Sequence, residues 1–114
     1  MSNDIPLYQA KAELFRTLGH PARIRVLELL QDGPRPVHEL LSEIGVEASS
    51  LSQQLAVLRR AGLVRSSREG STVLYSLATA DVAGLLLAGR RILAALWTDQ
   101  QEMLVGLRDS SASG

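Results

Sequence analysis

The stretch Ser49–Val64, SSLSQQLAVLRRAGLV, carries two patterns at once. With Leu51 set at zero and an advance of about 100° per residue, Leu55, Leu58 and Gly62 cluster beside it, while Ser49, Gln53, Ala56 and Arg60 fall opposite. One side is apolar and the other is small, polar or cationic. The pattern predicts a helix that anchors its leucines in a core and turns Ser49, Gln53 and Arg60 outward. Its neighbours in the chain decide what that outward face can do.

Immediately upstream, PRPVHELLSEIG places Pro36 near a helix start, spaces Leu40, Leu41 and Ile44 on one face, and ends on Gly45. Only a few residues then separate it from the opening stretch. Two helices joined by a tight glycine-containing turn, the second with a polar outer face, meet the requirement of a helix-turn-helix. Two more helices precede this pair. Leu7, Ala10, Leu14, Phe15 and Leu18 line one face of the first, which stops at Gly19, and Pro21 opens the second, where Ile24, Leu27 and Leu30 recur until Asp32-Gly33. His20 reads as a helix-start residue whose ring caps or packs.

Downstream, LVRSSREGSTVLYSL reads as two short strands around Gly70-Ser71, with Thr72, Val73, Leu74 and Tyr75 as β-formers and Arg65 and Arg68 as a basic edge. This hairpin is a wing. A long last helix is expected from Thr79 to about Arg108, striped by Val82, Leu85, Leu86, Leu93, Leu96, Trp97, Leu104 and Leu107 and widened by Leu87, Ala88, Ile92 and Ala95. A helix apolar on more than one side needs cover from outside its own small core. The expectation is a homodimer through the first and last helices, with Leu7, Leu14, Leu86, Leu93, Leu96, Trp97 and Leu104 at the interface. The fold class is thus mainly α with a small β-hairpin: a winged helix-turn-helix of four helices, a hairpin and a fifth helix over residues 1–108, with a disordered tail at 109–114.

At 114 residues, 46% hydrophobic, with a mean hydropathy of +0.08, the chain fits one small domain. It has no cysteine, which excludes disulfides, thiolate metal sites and thiol redox chemistry. The N-terminus lacks the basic and apolar regions of a signal peptide, and the longest apolar run is cut by Arg90-Arg91, so a cytoplasmic protein is expected. There is no nucleophile constellation, phosphate-binding glycine loop or H-E-x-x-H, and an enzyme is not expected. The formal charge is zero, but residues 1–46 net −1, residues 47–72 net +2 and residues 73–114 net −1. The surplus lies in the opening stretch and the wing.

Taken in order, LFRTLGHPARIRVLELL, VHELLSEIGVEASSLSQQLAVLRRAGLV and REGSTVLYSL resemble successive signature blocks of the ArsR/SmtB family of bacterial winged helix-turn-helix repressors, from about Leu14 to Leu77. The resemblance implies a transcription regulator that pairs through its first and last helices, binds imperfect palindromes in double-stranded promoter DNA, and changes DNA affinity with a metal ion or oxidant. It places Ser49, Ser50, Ser52, Gln53 and Gln54 toward the major groove. A glutamine amide can bond bidentately to adenine, and arginines neutralise phosphates. Gln53 is the expected base reader, Arg59 and Arg60 the backbone contacts, and Arg65 and Arg68 the wing contacts. Glu47 stands where the family's helix cap is usually serine.

The family's sensing positions are altered. Its Cys-x-Cys falls on Pro36, Val37 and His38, and its four-ligand set on Thr79, Asp81, Ile92 and Ala95. Soft ions are excluded by the missing thiolates, leaving nickel, zinc or cobalt on nitrogen and oxygen donors, for example His38 with Glu39 or with a partner's carboxylates. A second reading is a winged-helix protein-interaction module that recruits another protein through the apolar last helix.

Overall fold

A computed structural model describes the backbone of residues 4–113 and the side chains of residues 4–101. The elements run α1 (Leu7–Leu18), α2 (Pro21–Leu29), a single 3₁₀ turn (Leu30–Asp32), β1 (Arg35–Pro36), α3 (Val37–Ile44), α4 (Ala48–Arg60), β2 (Val64–Glu69), β3 (Thr72–Leu77) and α5 (Ala80–Ser113). Two compact units result, one ending at Ala83 and the other beginning at Gly84, so α5 enters both.

In the first unit, α2 packs against α1, α3 and α4. Val26, Leu27, Leu30, Leu40, Leu51, Leu55, Leu58 and Val64 are at most 2% exposed and form its core. Full burial of each such side chain contributes about 1.5–3 kcal/mol. The leucines that the periodicity of the opening stretch assigned to a core are therefore buried, and no polar side chain is buried among the described residues.

Local chemistry sets the helix ends. His20 precedes α2 with extended backbone, and its Nδ1 accepts the Ala22 N–H at 3.1 Å, satisfying one of the free donors of that first turn beside Pro21. Gly45 closes α3 in the left-handed region at φ 75°, which makes the turn into α4 short. At the end of α4 the Leu63 N–H reaches back to the Leu58 carbonyl and the Gly62 N–H to the Arg59 carbonyl, both at 3.0 Å, with Gly62 at φ 78°. That is a Schellman ending, and it turns the chain directly into β2.

The hairpin is as expected, with Gly70 (φ 65°) as the first of two loop residues between Glu69 and Thr72. The sheet, however, has three strands in the order β1-β3-β2. Arg35 pairs with Tyr75 and Pro36 with Leu74. A two-residue strand holding a proline has no periodicity of its own, and proline is tolerated there because the strand lies at the sheet's edge.

The last helix opens with the Thr79 hydroxyl accepting the Asp81 N–H at 3.2 Å, and Val82 is buried. In the second unit, Leu87, Ile92, Leu93, Leu96 and Trp97 are each 46–61% exposed. The backbone is helical to Ser113, five residues beyond the expected end near Arg108. Asp109–Ser113 holds no proline or glycine to force a stop, and Gly114 lies outside the described residues.

Two substitutions test these ends by thermal or denaturant unfolding. His20→Ala should lose about 1 kcal/mol, whereas His20→Asn, which keeps a capping acceptor, should lose much less. Gly62→Ala should cost about 1–2 kcal/mol through backbone strain alone, since a Cβ there meets nothing within 4 Å. An unchanged midpoint for either alanine variant would contradict the assignment of that helix end.

Candidate nucleic-acid interface

The burial of Leu51, Leu55 and Leu58 fixes the rotation of α4, and what remains outward is the candidate site. Ser49, Ser52, Gln53, Arg59 and Arg60 are exposed, while Ser50 and Gln54 are half-buried. At about 100° per residue, Ser52 and Arg59 form one flank of the outward arc, Ser50 and Gln54 lie beyond the other, and Ser49, Gln53, Ala56 and Arg60 fill the centre.

Gln54 stands apart from the group because its side chain is already engaged. Its Oε1 accepts the Arg23 Nε–H at 2.7 Å, and the same guanidinium donates to the Thr17 carbonyl at 3.1 Å. Arg23 thus joins α1, α2 and α4. Sequence reading missed this residue, and no local pattern could have found it, because Arg23 and Gln54 meet only through the fold.

The remaining cations divide sharply. Arg25 pairs with Glu28 and Arg35 with Glu39, each at 3.3 Å. Arg59, Arg60, Arg65 and Arg68 have no ion pair among the described residues. Gln53 likewise has no side-chain hydrogen bond among the described residues. Lys11 and Arg16 of α1 and Arg90 and Arg91 of α5 are also unpaired among the described residues, so what sets α4 and the wing apart is that their four unpaired arginines accompany the exposed polar arc. At the start of α4, Glu47 is exposed and makes no capping hydrogen bond, so the helix N-terminus carries an acid with no structural task there.

With this geometry in place, comparison with known proteins is decisive. The family model for bacterial regulatory proteins of the arsR family matches residues 20–66. The chain is 54% identical over 104 residues to the uncharacterised HTH-type transcriptional regulator Rv0081 of Mycobacterium tuberculosis, spanning 90% of this chain and 91% of that one. The chain belongs to the ArsR family.

Solved structures of similar chains agree on the ArsR fold. The crystal structure of Rv0081 superposes with a TM-score of 0.79, covering 85% of this chain and 98% of that one at 54% identity. The transcriptional repressor BigR of Xylella fastidiosa superposes with a TM-score of 0.70 at 38% identity, covering 75% of this chain and 87% of that one. A homodimeric winged helix-turn-helix DNA-binding domain from Mycobacterium bovis has a TM-score of 0.70 at 28% identity, covering 82% of this chain and 91% of that one.

The expected ArsR sensing positions do not assemble into a donor set within the described part of the chain. No three His, Asp or Glu residues converge among the described residues. Glu39, the candidate companion of His38, is bonded to Arg35, and the Thr79 hydroxyl is used at the start of α5. Among the described residues of a single chain, these positions therefore offer a metal ion no set of three donors. Of the expected dimer residues, Leu7, Leu93, Leu96 and Trp97 are exposed, Leu14 and Leu86 are half-buried, and the side chain of Leu104 lies outside the described residues. Tyr8 and Phe15 add further exposed aromatic surface to α1. No described helix is long and apolar enough to cross a membrane.

Glu47→Ser should improve this face in two ways. A serine hydroxyl can cap α4, adding about 1 kcal/mol to stability, and removal of the carboxylate should tighten binding to duplex DNA severalfold. Unchanged or weaker DNA binding, measured by fluorescence anisotropy, would show that phosphate does not approach the start of α4.

Proposed function

We propose that the chain is a transcriptional repressor that acts in the cytoplasm and binds a promoter palindrome as a homodimer, each protomer laying α4 in the major groove. The observation that carries this reading is the outward face of α4. There Gln53 and Arg60 have no side-chain partner among the described residues, on a helix locked by its buried leucines and flanked by a wing whose two arginines are likewise unpaired among them.

Gln53, central on the arc, is the base reader through its bidentate amide, with Ser49, Ser50 and Ser52 serving base edges or phosphates. Arg59 and Arg60 neutralise backbone charge, and Arg65 and Arg68 extend contact along the duplex. Gln54 acts indirectly, by holding α4 to α2 through Arg23. Dimerisation is supported by the exposed apolar side chains of α1 and α5 and by the homodimeric relative from M. bovis. Two such helices one duplex turn apart lie about 34–36 Å from each other, which makes the operator a near-palindrome of that spacing.

Two substitutions separate reading from gripping. Gln53→Ala should cost about 1–3 kcal/mol on the operator and relax the preference at one base pair per half-site. Arg60→Ala should weaken binding evenly across sequences and reduce the slope of log affinity against log salt by about 0.9 per protomer. Both variants should remain dimers by sedimentation. Equal affinity of the wild-type protein for selected and random duplexes would refute the proposal.

A further inference from the structure

The two wing arginines do not share a face. Alternation along β2 puts Ser66 and Arg68 on the face of buried Val64, and Arg65, Ser67 and Glu69 on the other. Residues opposite one another in an antiparallel pair share a face, so Tyr75 joins Ser66 and Val73 joins Arg68. Helix α4 packs on β2, and its Arg59 shares a concavity with residues of the Val64 face. There Arg59, Ser66, Ser67, Arg68, Val73 and Tyr75 line an open notch of about 430 Å³.

The chemistry of the notch is one-sided. Arg59 and Arg68 line it together with the hydroxyl-bearing Ser66 and Tyr75 of the same face, Ser67 borders it from the strand's other face, and no acidic residue is among its lining. Neither Arg59 nor Arg68 has an ion pair among the described residues. Glu69, the acid nearest in sequence, falls on the Arg65 face. Two like charges held at one concavity repel unless an anion lies between them, and an arginine fork matches the oxygens of a phosphate.

We propose that this notch seats one phosphate of the DNA backbone, shared by Arg59 and Arg68 with the Ser66 and Tyr75 hydroxyls as further donors, while Arg65 works separately from the other face. The assignment rests on α4 and the wing being the DNA-binding surface. A backbone phosphate is favoured over a free anion because the notch is open and continues, through Arg59 and Ser52, into the outward arc of α4.

The test uses the full-length dimer and an operator selected from random duplexes. Arg59→Ala and Arg68→Ala should each weaken binding about fivefold to tenfold, and the double variant should lose little more than the weaker single one. Arg65→Ala and Arg68→Ala, though close in sequence, should give losses that multiply. Replacing one phosphate per half-site by a neutral methylphosphonate should abolish the effects of Arg59→Ala and Arg68→Ala and leave that of Arg65→Ala. Circular dichroism and unfolding midpoints should match the wild type throughout.

Retained operator selection with multiplying Arg59 and Arg68 losses, and no methylphosphonate position that silences both, would overturn the notch assignment alone. Failure of the wild-type protein to select any duplex would overturn the DNA reading and the notch with it. A third outcome also overturns it: millimolar inorganic phosphate, at constant ionic strength, raising the unfolding temperature of the wild-type protein but not of the double variant would make the occupant a free anion.

Discussion

The seam between α4 and α2 is the constraint on which the rest of the molecule depends. Leu51, Leu55 and Leu58 are buried, as are Val26, Leu27 and Leu30 of the adjoining helix and turn. Their spacing admits one rotational setting of α4, because turning the helix by a single residue position would move leucines toward water and leave a void costing several kcal/mol. The outward arc is the complement of that packing. Ser49, Gln53 and Arg60 need no interaction of their own to be held in place, which leaves their donors and acceptors free for a ligand.

Charge is handled in the same economical way. Arg25 of α2 and Arg35 of β1 are matched locally, with Glu28 and Glu39, in exposed pairs that contribute little to stability. The arginines of α4 and the wing are unmatched among the described residues. Because salt screens charges beyond about 8–10 Å, a phosphate at this surface responds to the local surplus and not to the zero total. A neutral protein can therefore present a cationic reading surface.

Much of this was legible in the residues. Helices with strong 3.6-residue periodicity, the glycine at each turn of the helix-turn-helix, and the alternating hairpin are locally encoded, and each stands where its pattern places it. The misses were non-local. Pairing of Arg35-Pro36 with β3 depends on a partner some forty positions away and on a strand too short to alternate. The bond from Arg23 to Gln54 depends on the packing of α2 against α4, so the amide oxygen of a residue that composition groups with Gln53 is engaged within the chain. The separation of Arg65 from Arg68 follows from the strand period, but it acquires meaning only once residues of the Val64 face are seen to share a concavity with Arg59 of α4.

The Arg23 guanidinium holds the Thr17 carbonyl of α1 with one nitrogen and the Gln54 amide of α4 with another. It thereby clasps three helices around a single planar group. Within the first unit, α1, with its exposed Leu7, Tyr8 and Phe15, is in consequence tied to α4 through one side chain. The exposed apolar side chains of α1 and the polar arc that holds Gln53 and Arg60 are therefore positioned with respect to each other by one guanidinium as well as by the buried leucines.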